Sequence, residues 1–373
     1  MRTCTSDTSL ARTNGEPRPA AHGSAVIFTL LGGVLLLAAG APAAETWTDI
    51  STPLIEKLQR QGEKLAWPGG CSGVVADRVT GAVVVKVVGG GLWRSADQGA
   101  TWQRIDGGTV SGRDETGWAT SVDQNDPQRM ASFSLDGLAG WTADGKKWQR
   151  FTDNGRNWDF GSVDWSAAAP QTIIVAKHET DPPGEVDLST DGGHTWCKLT
   201  IRLNGKPDLV AMVGALDAKT LIYSNGQGIL RSTDSGVTWT QVSAANPLTR
   251  IPVCFRGVVY LGTAAGLLVS KDQGATWQTQ GAPVKIQQGP FFGANERIML
   301  GLGSDGAFVS QDAGQNWTRV AGLKPNERGQ GFSFATKWFG SYAWDPVSNI
   351  LYASTMGNPA FKLELGKLPP SRQ

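Results

Sequence analysis

Eight letters recur along this chain with little change: "SADQGATW" (95–102), "STDGGHTW" (189–196), "STDSGVTW" (232–239), "SKDQGATW" (270–277) and "SQDAGQNW" (310–317). A β-rich run precedes each copy, as in "GLWR" (91–94), "GILR" (228–231) and "GLLV" (266–269), and another follows the Trp, as in "TWQRI" (101–105). Strand, polar turn, strand is a hairpin. The Asp carboxylate can accept backbone N–H bonds inside the turn. The Gly can take a positive φ without a Cβ clash, and the Trp offers a large apolar face to its neighbours. Every residue type has a turn-building job, so Asp97, Asp191, Asp234, Asp272 and Asp312 read as structural. Asp144, in the shortened copy "TADGKKW" (142–148), reads the same way.

A second pattern lies upstream of the hairpins. "TSVDQNDPQRMASF" (120–133), "GSVDWSAAAPQTIIVA" (161–176) and "GSYAWDPVSNILYAS" (340–354) each place a polar turn between two short apolar strands. Adding the hairpin makes four strands per unit, and the units recur at 38 to 47 residues. That period with four strands is the signature of a β-propeller blade. The expected fold is all-β: a seven-bladed propeller with four-stranded antiparallel blades near 66–106, 117–151, 158–201, 208–243, 251–281, 286–321 and 331–366. The last unit has "FKLEL" (361–365) but no Asp turn and no closing Trp strand. The orphan "TWTDI" (46–50) supplies what is missing, with Trp47 in the place that Trp102, Trp148, Trp196, Trp239, Trp277 and Trp317 hold elsewhere. It is expected to join blade seven as its outermost strand and close the ring, hiding edges that an open array would expose.

The other sequence features bound the class. Forty-eight glycines in 373 residues fit a chain of many tight turns. No long stretch beyond the N-terminal segment has apolar residues at helical spacing. Net charge is +1 with no run of like charges, which argues against a nucleic-acid surface. Residues 25–40, "AVIFTLLGGVLLLAAG", follow Arg2, Arg12 and Arg18 and precede "APA" (41–43). The run is short for a membrane span and reads as an export signal. Residues 1–44 are therefore expected to be a signal peptide and 45–373 an exported propeller without a membrane span, periplasmic or extracellular and monomeric. An uncleaved anchor is the other reading. Cys71, Cys197 and Cys254 are read as small buried or half-buried residues and not as a disulfide framework. No His/Cys spacing suits a metal, and no cofactor is expected.

Ser-x-Asp-x-Gly-x-Thr-Trp resembles the Asp-box, or bacterial neuraminidase repeat. It is similar to the repeats of sialidases, of xyloglucan-cleaving two-propeller glucanases, of sortilin-type receptors and of photosystem II assembly-factor-like propellers. The resemblance covers nearly the whole of 45–373 and implies the propeller fold; because those families include enzymes and non-enzymes, it does not imply one activity. Sialidases place an Arg-Ile-Pro motif ahead of the first box and use a Tyr nucleophile with a Glu. Here Arg250-Ile251-Pro252 follows the box at Asp234. Tyr223, Tyr260 and Tyr352 share one repeat position, which reads as packing, and Tyr342 has no matched Glu. The glucanases have two propellers, and this chain has length for one.

In propellers of this kind the Asp-box turns lie on one rim, and ligands bind on the opposite face, where the loop entering each blade and the loop between its second and third strands gather. Arg113, Asp114, Glu115 and Trp118 lie in one such loop. Arg156, Trp158 and Asp159 lie in the next, His178 and Glu179 in a third, and Arg328 in a fourth. Asp114 and Asp159 are the candidate catalytic carboxylates; Arg113, Glu115, Trp118, Arg156, Trp158, His178, Glu179 and Arg328 are the candidate binding residues. Trp stacks on sugar faces, while Arg and carboxylates fix hydroxyls or charged groups. The same residues also fit long polar loops that merely expose charge, with Trp118 and Trp158 packed between blades. Two functions follow: an exported, non-catalytic module binding a glycan or a protein partner, or a secreted glycoside hydrolase with two carboxylates at the propeller mouth.

Overall fold

Each repeat begins with a short strand that has little polar surface, such as "CSGVVA" (Cys71–Ala76), buried along its whole length. Strands buried on both faces must be packed from both sides, and in a ring of sheets the inner strands are packed in that way. The computed structural model describes residues 2–4, 46–152, 157–169, 171–181, 183–199, 201, 210–303, 306–322, 340–355 and 357–368. Among these, seven sheets form a seven-bladed propeller, each with four antiparallel strands and one with an added parallel strand at its outer edge.

Blade one holds Cys71–Ala76, Val83–Val87, Gly91–Ser95 and Gln103–Arg104 in sequence order from the channel outward. Blades two to six repeat that order, opening with Thr120–Val122, Trp158–Val163, Met212–Ala215, Val253–Phe255 and Gln288–Phe292. Blade seven differs. It is built from Ser341–Asp345, Ile350–Ser354 and Ala360–Glu364, and its fourth strand is Thr48–Asp49, with Thr48 opposite Lys362 and Asp49 opposite Phe361. A further three-residue strand, Arg2–Cys4, runs parallel to Cys197–Leu199 on the outer edge of blade three. The rest of the candidate signal segment lies outside the described residues.

The recurring turn is a closed hydrogen-bond unit. In blade one, Ser95 Oγ donates to Asp97 Oδ1 (2.7 Å) and accepts from the Gly99 amide (2.7 Å). The Thr101 amide and hydroxyl donate to the two Asp97 oxygens at 2.8 and 2.6 Å. The same set recurs around Asp191, Asp234 and Asp272. Around Asp312 the Asn316 side chain takes the Thr role, and Asp144 in the shortened turn accepts from the Lys146 and Lys147 amides. The turn glycine does more than adopt a positive φ. A Cβ on Gly99 would collide with Ile50 of blade seven, and one on Gly236 would press on Leu199 of blade three. The turn thus touches the preceding blade at its closest approach.

These bonds stabilise the ionised carboxylates. The Thr101 and Ser95 side chains hold Asp97 at about 2, and Thr276 with Ser270 holds Asp272 at about 2. A carboxyl whose folded value lies below its unfolded value adds stability above the unfolded value and loses it as pH falls through the folded one. The thermal midpoint is therefore expected to drop between about pH 4 and pH 2, and Asp97→Asn should flatten part of that drop. Melting curves across this pH range check the sign.

Two features depart from the sequence reading. Thr52–Arg60 forms a nine-residue helix, and just ahead of it Asp49 Oδ1 accepts from the Ser51 and Thr52 amides. Its Leu54 and Leu58 bury against blades one and seven. The segment is too short for a sustained helical pattern to emerge. Second, Cys197 is disulfide-bonded, contrary to the expectation for the three cysteines. Cys71 and Cys254 carry free thiols, which burial pushes up to about 11 and about 12.

Candidate functional site

The inner strands enclose a channel of about 120 Å³, lined by residues of all seven blades including Val74, Ser121, Val163, Ala215, Val253, Phe291 and Ala343. On the side of the Asp turns it is crossed by side chains. Arg78 of blade one donates to the Gln124 carbonyl of blade two (2.6 Å) and the Gly293 carbonyl of blade six (3.1 Å), with its guanidinium 4.7 Å from the Phe255 ring centroid in blade five. Asn125 of blade two bonds the Cys254 carbonyl and the Arg256 amide of blade five. Blade one does not neighbour blades five or six, nor blade two blade five, so these bonds span the ring. A ligand approaching over the axis meets a braced floor from that side.

The opposite face carries the loops that lead into each blade, and short ladders hold them. Arg113 and Leu135 form a bridge, Leu135 and Asn157 another, and Asn157 exchanges bonds with the His178 backbone. This ladder runs from the loop before blade two to the His178 loop of blade three. It brings several predicted residues together. His178 Nδ1 lies 2.8 Å from Asp159 Oδ1, and His178 Nε2 lies 3.8 Å from the exposed Glu179. Arg113 pairs with Glu115 at 3.2 Å and with Asp136. Thr116 of the first loop bonds the Asp159 carbonyl at 3.0 Å. Burial pushes the Asp159 carboxyl above the ordinary carboxylate range; His178 opposes the rise, and Glu115 adds to it. Arg250 lies close enough to stabilise the Asp159 charge, and is itself pinned to the Val210 and Ala211 carbonyls.

Other predicted residues lie elsewhere. Asp114 is buried beneath the face and bonded to Lys86 Nζ at 2.6 Å and Thr120 Oγ1 at 2.8 Å, so it does not line the mouth. Trp118 is buried among Phe160, Val213 and their neighbours of blades three and four, and its ring lines the channel. Trp158 is buried in an aromatic cluster with Phe133, Phe151 and Trp196, and its Nε1 donates to Asp187 Oδ2 at 3.0 Å. Large apolar rings gain more from the inter-blade core than from water, which withdraws both from the surface. Tyr342 is likewise buried, and its hydroxyl is pushed far up by burial. Arg156 and Arg328 lie outside the described residues. Among the described residues no cluster of His, Cys, Asp or Glu could hold a metal ion.

The sequence reading passed over Lys86, Arg78 and Trp67. A lone Lys inside "VVVKVV" (83–88) signals a buried cation that needs a buried partner. Trp67, in the segment leading into blade one, is 74% exposed, with the Arg113 guanidinium 5.3 Å from its ring centroid.

These features define the chain as a single seven-bladed propeller whose loop face carries a linked cluster of carboxylates, a His and two Arg. No family model matches the sequence. Over 199 residues, 44% of the chain, it is 26% identical to an oligoxyloglucan-reducing end-specific xyloglucanase of Emericella nidulans, and it spans a quarter of that protein's length. Among solved structures it is similar to the extracellular domain of the hybrid two component system BT4673 of B. thetaiotaomicron, with a TM-score of 0.50, 10% identity, 86% of this chain and 40% of that one. It is also similar to YCF48 from Cyanidioschyzon merolae, with a TM-score of 0.46, 13% identity, 86% of this chain and 99% of that one. Among the described residues no helix is long and apolar enough to cross a membrane.

Proposed function

We propose that the chain is an exported Asp-box propeller that binds a glycan or protein partner on the loop face without chemically altering it. The observation that carries this reading is the pairing of its carboxylates. Asp114 is spent on Lys86, Asp159 on His178, and Glu115 on Arg113. A hydrolase of the two-carboxylate kind needs one acid and one base or nucleophile facing a bond from opposite sides. Paired groups instead form a fixed array of hydrogen-bond donors and acceptors, which suits recognition. The apolar run at 25–40 supports export.

A second reading, a glycoside hydrolase, draws on one feature: Asp159 is raised by burial and sits near Glu115, a pattern that suits a general acid beside a second carboxylate. The partial likeness to a xyloglucanase favours the same reading.

Oligosaccharide and peptide arrays probed with the wild-type chain, Glu115→Ala and His178→Ala separate the two. Binding in at least one array, weakened about tenfold in both variants, is expected. Release of nitrophenol from chromogenic glycosides, lost in Asp159→Asn, would replace the binding reading with the hydrolase.

A further inference from the structure

We infer that Trp67 is the stacking platform of a subsite for an uncharged sugar ring, beside the Asp159–His178 cluster. This rests on the loop face being the ligand face and goes further by naming the ligand class. Among the described residues Trp67 is the only large aromatic side chain left mostly in water, at 74% exposure. Trp158, Trp118 and Tyr342 are all withdrawn into the core, so burial is available to aromatic rings in this fold and Trp67 does not take it. Arg113 covers one side of the indole, its guanidinium 5.3 Å from the ring centroid. A cation over the π face is attractive and holds the ring in place. An exposed ring held in this way is pre-organised for stacking, which lowers the entropic cost of binding.

The charges around the ring select the ligand. Arg113 is already held by Glu115 and Asp136, so its charge is offset. An anionic sugar would have to displace one of these carboxylates and lie near the other. A cationic side chain stacking on Trp67 would meet the Arg113 charge already placed there. A neutral ring avoids both costs. Its C–H face can lie on the indole while its hydroxyls donate to Asp136, which is two-thirds exposed, and to Glu115. The chain of contacts Trp67–Arg113–Glu115 then leads toward Asp159, giving a path from the rim at blade one to the cluster at blade three.

The test is isothermal titration calorimetry of the full chain with three neutral probes (cellohexaose, xylohexaose and mannohexaose) and one anionic probe, trigalacturonate. At least one neutral probe is expected to bind and trigalacturonate is not. Trp67→Ala should weaken the neutral interaction about tenfold, and Trp67→Phe should recover most of it. Neither change should move the melting temperature, because the side chain is exposed. Equal binding by wild type and Trp67→Ala would overturn the inference, as would tighter binding of trigalacturonate or binding of no neutral probe. In that last case, a peptide-array signal lost in Glu115→Ala would leave the loop-face reading standing while this inference falls; no signal in either assay would remove both.

Discussion

Removing residues 46–52 is expected to lower the melting temperature by roughly 5–10 °C, or to abolish a cooperative transition altogether. The segment is short, but most of it is structural. Thr48 and Asp49 pair with Lys362 and Phe361. The Ile50 amide donates to the Ala360 carbonyl at 2.9 Å, and the Ile50 carbonyl accepts from Trp102 Nε1 at 3.1 Å. Ser51 Oγ accepts from the Ala360 amide at 2.8 Å, and Asp49 Oδ1 accepts from the Ser51 and Thr52 amides at the helix start. Ile50 is buried under the turn of blade one, so its loss alone costs about 1.5–3 kcal/mol. Adding the lost Asp49 bonds, the strand bonds and a newly open edge on blade seven brings the total to roughly 5 kcal/mol or more, a large part of the ~5–15 kcal/mol of an ordinary domain. Differential scanning calorimetry of the truncated chain measures it. An unchanged midpoint would mean that the blades hold the ring without the N-terminal strand.

The second large effect concerns Lys86 and Asp114. Both side chains are removed from water, and their charges meet at 2.6 Å. Burial pushes Lys86 down and Asp114 up, and each is opposed by the other's charge. Lys86 also donates to the Phe133 carbonyl and Ser134 Oγ, so one cation ties blade one to two segments of blade two. Gly73 makes room for this, since a Cβ there would overlap Asp114 Oδ2. Removing one partner leaves an unpaired buried charge, and Lys86→Met or Asp114→Ala is expected to cost about 3–5 kcal/mol in urea unfolding. The double replacement Lys86→Met with Asp114→Leu should recover much of that loss, because it removes both desolvation penalties together. Additive losses in the double mutant would show that each residue acts alone.

The repeat made the blades legible. Ser95, Asp97, Gly99 and Thr101 bond mainly to one another, so their local spacing carries their roles. The strand count followed from the same period. The connections alternate between two rims, so the sequence groups Glu115, Asp159 and His178 on one face, and the structure brings these three together. The roles of individual side chains were not. Asp114 and Asp159 look alike in sequence, each an acidic residue in a polar loop, yet one meets Lys86 in the core and the other meets His178 at the surface. For Trp118 and Trp158 the sequence left two readings open, ligand contact or packing between blades, and burial in the tertiary structure decided for packing.

What the sequence determined by itself is everything set by short-range geometry: the turn, the strand that follows it, the period and the need to close the ring. What only the tertiary structure decided is everything set by contacts between blades: the bonds of Arg78 and Asn125 across the channel, the burial of Lys86 with Asp114, and the exposure of Trp67. Turn bonds join residues two to four apart, so local order encodes them. Arg78 meets Gly293 across 215 residues, and nothing in the sequence around either one specifies the other.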